Sequence, residues 1–206
     1  MITIIDLNIG NIGSVVNMIK HVGADCVVSS NADEIKKATK LILPGVGSYD
    51  RAMNQLRERQ LEEVIVEKAT TDKIPLLGIC LGMQLLTNSS QEGKEKGLGL
   101  INAETLSFKN AFDKKEINER IPHMGWNDIH LEQQNKLTKN LIESSRFYFV
   151  HSYYVKCFSK ENSLITSNYG FDFDSGIVKD NVYGVQFHPE KSHKYGKKLI
   201  SNFIKL

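Results

Sequence analysis

Cys80 stands in Gly78-Ile79-Cys80-Leu81-Gly82, and far downstream the chain carries His188-Pro189-Glu190. A thiol that attacks a carbonyl carbon, an imidazole that moves the proton and a carboxylate that orients the imidazole are the parts of an acyl-transfer site. Cys80 follows the apolar run Ile74-Pro75-Leu76-Leu77. Small residues on both sides of a nucleophile let a strand turn sharply into a helix, which lifts the side chain to the head of a sheet. The N–H groups and dipole at the start of such a helix favour thiolate. Pro189 keeps His188 extended, and residues two apart in an extended chain share a side, which brings Glu190 toward the imidazole. Cys26 and Cys157 lack flanking glycines and read as structural cysteines.

Pro44-Gly45-Val46-Gly47 is a glycine-rich turn after an apolar run. Such a turn can cradle phosphate, but the lysine and hydroxyl residue of a phosphate loop are missing. Its backbone N–H groups, with that of Leu81, are expected to face an oxyanion instead, where each donor contributes ~3 kcal/mol. His151, within Tyr148-Phe149-Val150-His151-Ser152-Tyr153, reads equally well as a sheet-edge histidine. His21, His123, His130 and His193 have no second ligand at metal-binding spacing, so neither metal nor cofactor is expected.

These residues need a scaffold. The first half alternates: strands at Ile2–Asp6, Cys26–Ser29, Lys40–Leu43 and Ile74–Ile79; helices at Asn11–His21, Ala32–Ala38, Ser48–Arg57, Leu61–Ala69 and Leu81–Asn88. That alternation implies a parallel sheet with helices on both faces. After Gly93 come runs rich in β-branched and aromatic residues, Arg146–Val155, Ser163–Tyr169 and Val182–Phe187, which favour an antiparallel extension. Asn110–Arg120, charged and aperiodic, reads as a mobile surface loop, and Ser192–Ile204 as a closing helix with Ser192 as N-cap.

With 206 residues, 41% of them hydrophobic, the chain has the length of one well-buried α/β domain spanning 1–206. A net charge of +2 without a basic–aromatic cluster argues against nucleic acid. No apolar stretch approaches the ~20 residues of a membrane span, and Met1–Asp6 reads as a strand rather than a leader. Three unclustered cysteines suit the reducing cytoplasm.

Six segments together resemble class I glutamine amidotransferases: Leu43–Gly47, Leu77–Leu86, Gly97–Leu100, Pro122–Asn127, Tyr148–Tyr153 and Gly184–Ser192. Within that family, PHMGWN and YFVHSY are similar to the glutaminase subunits of imidazole glycerol phosphate synthase. The resemblance implies hydrolysis of L-glutamine by Cys80, His188 and Glu190, with the backbone of Val46 and Leu81 as oxyanion hole. It implies that Gly45, Gln84, Glu92, His151, Ser152 and Tyr153 line the glutamine pocket. Trp126 and Lys191 would face a (β/α)₈-barrel cyclase subunit that receives the ammonia in histidine biosynthesis. The run Asp6-Leu7-Asn8-Ile9-Gly10-Asn11 departs from the family's Asp-Tyr-Gly-x-Gly-Asn, and Asn8 is expected to adopt the positive φ that glycine would take. The flexible Gly45–Val46 peptide is a candidate gate for the oxyanion site.

Three other readings stand beside this one. Asn11–Val15, Leu85–Thr87 and Glu190–His193 are similar to a sister group that supplies ammonia for amidation of surface-polysaccharide sugars. Another cysteine hydrolase on a similar sheet would share the elbow. A regulatory subunit with a dead site would bind a barrel partner without turnover.

Overall fold

Apolar residues alternate sides along the strands of the first half, and the two sides build two cores. The structure, a computed structural model, describes residues 1–8 and 12–206. Its elements run β1 (Ile2–Ile5), α1 (Ile12–His21), β2 (Cys26–Ser29), α2 (Ala32–Lys36), β3 (Lys40–Gly45), α3 (Tyr49–Glu58), α4 (Leu61–Thr70), β4 (Leu76–Cys80) and α5 (Leu81–Leu85). There follow β5 (Ser89–Ser90), β6 (Ala103–Ser107), α6 (Phe108–Lys115), β7 (His123–Asp128), β8 (His130–Leu131), β9 (Arg146–His151) and β10 (Tyr153–Cys157). The chain ends with β11 (Ser163–Asn168), β12 (Asp172–Lys179), β13 (Val182–Val185) and α7 (His193–Ile204).

Ile4, Ile42, Leu77 and Ile79 join Val15 and Ile19 of α1 and Leu199 and Phe203 of α7 in one core. Ile5, Leu41, Leu43 and Leu76 face the other way, onto Ile35, Met53, Leu56 and Ile65 of α2, α3 and α4. The main sheet runs β2-β1-β3-β4-β13-β12-β10-β6-β5, with β11 and β8 branching from β12. Its β2-to-β13 portion is parallel and the next three pairings are antiparallel. The fold is thus an α/β domain with a mostly parallel centre, helices on both faces and an antiparallel extension, as the alternation implied.

Several details differ from the sequence reading. The segment read as a surface loop, Asn110–Arg120, is helical through Lys115, because the helix starts earlier. Ser107 caps it by accepting from the Asn110 N–H, and Phe108 and Phe112, one turn apart, are both buried. The run Arg146–Val155 is two strands broken at Ser152. β9 pairs with β7 in a separate ribbon, while β10 joins the main sheet. Helix α5 stops at Leu85 rather than Asn88, where the Thr87 hydroxyl donates to the Gln84 carbonyl at 2.7 Å. Strands β5, β6, β7, β8 and β12 went unread, and β3 continues through Pro44 and Gly45. Asn8 has φ +55°, as expected, while Ile9, Gly10 and Asn11 lie outside the described residues.

Candidate active site

Strand β4, between β3 and β13, ends at Cys80, which lies in register with Gly45 of β3. Cys80 takes φ +56° and ψ −112°, a backbone state that costs a non-glycine residue of the order of 1–3 kcal/mol and persists only where the surroundings enforce it. The two flanking glycines do the enforcing. A Cβ on Gly82 would lie 1.7 Å from the Leu43 carbonyl oxygen, and one on Gly78 would lie 2.6 Å from the Gly82 oxygen. Only bare backbone lets α5 pack this closely over β3 and turn directly out of β4.

His188 arrives from β13. Its N–H donates to the Tyr148 carbonyl at 2.9 Å, and its own carbonyl accepts from the Ser192 hydroxyl at 2.6 Å. Ser192 is therefore not a side-chain cap for α7: its hydroxyl instead links His188 to the Tyr148 N–H, 3.0 Å away. The Glu190 carboxylate accepts from His188 Nδ1 at 2.7 Å. It reaches the ring because the chain turns through a 3₁₀ helix at Pro189–Lys191, not because the chain stays extended as the sequence reading supposed. The pair is nearly sealed from solvent. Burial works to lower the His188 pKa, but contact with Cys80 and Glu190 and the negative charge of both outweigh it and push it up to about 10. His188 Nε2 makes no hydrogen bond of ordinary geometry, so its coupling to the Cys80 sulfur is one of charge and proximity.

In front of the sulfur lies a cavity of about 340 Å³, lined by Val46, Gly47, Cys80, Leu81, Gln84, Glu92, Pro122 and the stretch from Val150 to Tyr153. That volume suits a ligand of amino-acid size. Every sequence-derived pocket residue except Gly45 lines it. Gly45 sits behind, where a Cβ would press on Leu81 Cβ at 3.1 Å. Glu92 accepts from the Tyr49 N–H at the start of α3, at 3.2 Å. Burial raises its pKa; that hydrogen bond opposes the rise and the charge of Asp50 adds to it. Asp50 also holds the Glu92 loop by accepting from the N–H groups of Lys94 and Glu95, each at 3.0 Å.

His151 donates from Nδ1 to the Tyr153 carbonyl at 2.7 Å. A carbonyl only accepts, so Nε2 of the neutral ring is the acceptor and receives the His123 Nδ1–H at 2.8 Å. His123 Nε2 then accepts from the Asn127 amide at 3.2 Å. Both rings stay neutral. Burial lowers His123 to about 4; burial, then the neighbouring His123, lowers His151 to about 3.

On the outer side of the ribbon, Trp126 stacks on His193 at 5.5 Å and meets Tyr148 edge-on, while the Lys191 ammonium lies 5.6 Å from the Tyr148 ring centre. Met124 and Trp126 are among the most exposed apolar side chains, and so are Val46 and Ile121 near the cavity. Cys26 and Cys157 lie away from the cavity, and burial raises both thiols. Among the described residues, no cluster of three metal-ligating side chains occurs, and no helix is long and apolar enough to cross a membrane.

The parts that four residues play around the site escaped the sequence reading: those of Asp50, His123, Gln186 and Ser192. Gln186 had a signal, because a fully buried amide in the apolar run Val185-Gln186-Phe187 must find partners. Its Nε2 lies 3.8 Å from the Cys80 sulfur. The other three act through contacts across 28 to 45 positions of sequence, which no local pattern reveals.

The family model for glutamine amidotransferase class-I matches residues 3–206. The chain is 57% identical over its whole length to imidazole glycerol phosphate synthase subunit HisH 2 of Methanococcus maripaludis, covering 99% of that protein. It is 44% identical to a protein of the same name from Pseudomonas aeruginosa, with both chains fully covered. Among solved structures, PurLQS from Thermotoga maritima superposes with a TM-score of 0.77 at 18% identity, over 99% of this chain and 97% of that one, which is a likeness of fold. With a match of this extent behind the elbow geometry, the chain belongs to the class-I glutamine amidotransferase family.

Proposed function

We propose that residues 1–206 form one glutaminase unit that hydrolyses L-glutamine to glutamate and ammonia, as the glutaminase subunit of imidazole glycerol phosphate synthase in histidine biosynthesis. The observation that carries the chemistry is Cys80, held at φ +56° between a cavity of about 340 Å³ and the His188–Glu190 pair. The names of the full-length relatives support the pathway.

In this reading the Cys80 thiolate attacks the side-chain amide carbon of glutamine, and backbone N–H groups of Val46 and Leu81 receive the developing oxyanion. The imidazolium of His188 passes its proton to the departing nitrogen, which leaves as ammonia and a γ-glutamyl thioester. His188, now neutral, takes a proton from water as the water attacks the thioester. Collapse releases glutamate and restores thiolate and imidazolium. Glu190 keeps the ring oriented and stabilises its charged form. Gln84, whose NH₂ is spent on Tyr153 and Gln186, has its carbonyl oxygen left for the substrate ammonium. Glu92 supplies the counter-charge for the same ammonium. Gly45 shapes the pocket from behind, and His151, Ser152 and Tyr153 close its wall.

Ammonia protonates in neutral water and loses its nucleophilicity, so a glutaminase of this size calls for a second subunit that takes ammonia directly. The exposed Met124 and Trp126, with Lys191 beside Tyr148, support docking of a (β/α)₈-barrel cyclase subunit on this face. The free thiols fit a cytoplasmic setting. The test is glutamine hydrolysis by the purified chain, alone and with that barrel subunit and its nucleotide substrate. Strong stimulation in the full mixture is expected. Labelling of Cys80 by a glutamine analogue without any such stimulation would redirect the ammonia to a sugar-amidating complex.

A further inference from the structure

The hydrogen-bond polarity around Cys80 follows from a single group. The Tyr153 carbonyl can only accept, and besides His151 it receives the Gln84 amide at 3.4 Å. Gln84 therefore points its NH₂ inward, and the same NH₂ donates to Gln186 Oε1 at 3.0 Å. Gln186 must then turn its own NH₂ the other way, where it meets the Cys80 sulfur at 3.8 Å. The longer distance reflects the larger radius of sulfur. Gln186 is fully buried, and its backbone is pinned by donation to the Ser175 carbonyl at 2.9 Å, so neither water nor a rotamer change can replace this donor.

We propose that Gln186 is a further catalytic residue, whose side-chain N–H donates to the Cys80 sulfur and stabilises its negative charge both before attack and when the thioester collapses. This rests on Cys80 being the nucleophile. His188 couples to the sulfur by charge and proximity, and Gln186 supplies a hydrogen-bond donor that stays in place whatever the protonation state of His188. Its contribution is therefore in place before attack and again when the thioester collapses to release the thiolate, the two points at which the sulfur carries charge.

The test is a comparison of wild type, Gln186→Met, Gln186→Asn and Cys80→Ala. Met keeps the length and volume of glutamine without a donor. Asn keeps an amide but withdraws it from the sulfur. Each protein is assayed for glutamine hydrolysis and for alkylation by iodoacetamide at fixed pH, read on the Cys80 peptide by mass spectrometry. Circular dichroism and thermal melting report folding. A donor to a charged group implies that both Gln186 variants lose about ten-fold or more in kcat, with KM little changed, and as much in alkylation rate at a pH below the midpoint of the alkylation profile, where the thiolate fraction sets the rate. A role confined to tying β13 to α5 would leave the alkylation rate of a folded variant untouched. Wild-type alkylation in folded Gln186→Met or Gln186→Asn would therefore overturn the inference. Hydrolysis surviving in Cys80→Ala would overturn the underlying assignment instead, so the two failures are distinguishable.

Discussion

Adding one methyl group at Gly82 tests whether the elbow depends on backbone contact. The Cβ of a Gly82→Ala variant would start 1.7 Å from the Leu43 carbonyl oxygen and 2.8 Å from its carbon. Carbon–oxygen contacts settle no closer than ~3.3 Å, so α5 must retreat from β3 by roughly 1.5 Å. Neither neighbour is a side chain that can swing aside. Overpacking of this kind costs about 1–3 kcal/mol, which for a chain of this length lowers Tm by about 3–10 °C. The larger effect falls on catalysis, because the retreat moves Cys80 and the Leu81 N–H away from Val46, and a 1 Å misplacement can cost about 100-fold in rate. Gly23→Ala is the comparison: its φ is +83°, but nothing lies within 4 Å of the added carbon. It bears only left-handed strain, far from the cavity, and should melt slightly lower with full activity. Steady-state hydrolysis of glutamine and thermal melts of both variants provide the readout. Gly82→Ala with wild-type kcat and Tm would refute the claim that close approach of α5 to β3 sets the nucleophile's position.

Two further predictions concern charge. Glu190→Gln keeps the shape of the side chain but removes the negative partner of His188 at 2.7 Å, so glutamine turnover should fall at least 100-fold, to the order seen when such orienting carboxylates are neutralised; near-normal kcat would contradict the role given to Glu190. The buried histidines make stability depend on pH in opposite directions. His188, raised from 6.5 to about 10, contributes stability that is complete below 6.5 and is lost as pH climbs through about 10. His123 and His151, lowered to about 4 and about 3, contribute stability that is complete above 6.5 and is lost as pH falls toward those values. Denaturant titrations across pH should therefore show slopes on both flanks, with Glu190→Gln flattening the alkaline one and His123→Phe flattening the acid one.

The Cys80 elbow, the His188–Glu190 pair and the parallel half of the sheet were legible because each is encoded locally. Gly78 and Gly82 flank Cys80 within five residues, and Ile4 and Ile5 alternate between two cores over two positions. Where the reading failed, the deciding interaction lay elsewhere in the chain. Phe108 and Phe112 make α6 a helix by packing on Tyr154 and Phe171, more than forty positions away. Ser192 looks like a cap in sequence, yet its hydroxyl is claimed by His188 and Tyr148. β12 was hidden because Asp172-Phe173-Asp174-Ser175-Gly176 offers one apolar residue among polar ones and a glycine, and Ile165 packs into the space where a Cβ on Gly176 would sit. Gln186 belongs with these: its amide makes sense only once Gln84 and Cys80 are brought beside it.

The central claim is that Cys80 carries the glutamyl group. The most direct measurement is rapid acid quenching of the chain during glutamine turnover, followed by mass spectrometry of the intact protein and of the Cys80 peptide. A γ-glutamyl adduct on Cys80 that appears within one turnover, decays when glutamine is exhausted and is absent from Cys80→Ala is the predicted result. Steady hydrolysis with no adduct on Cys80, or an adduct on Cys26 or Cys157 instead, would contradict it.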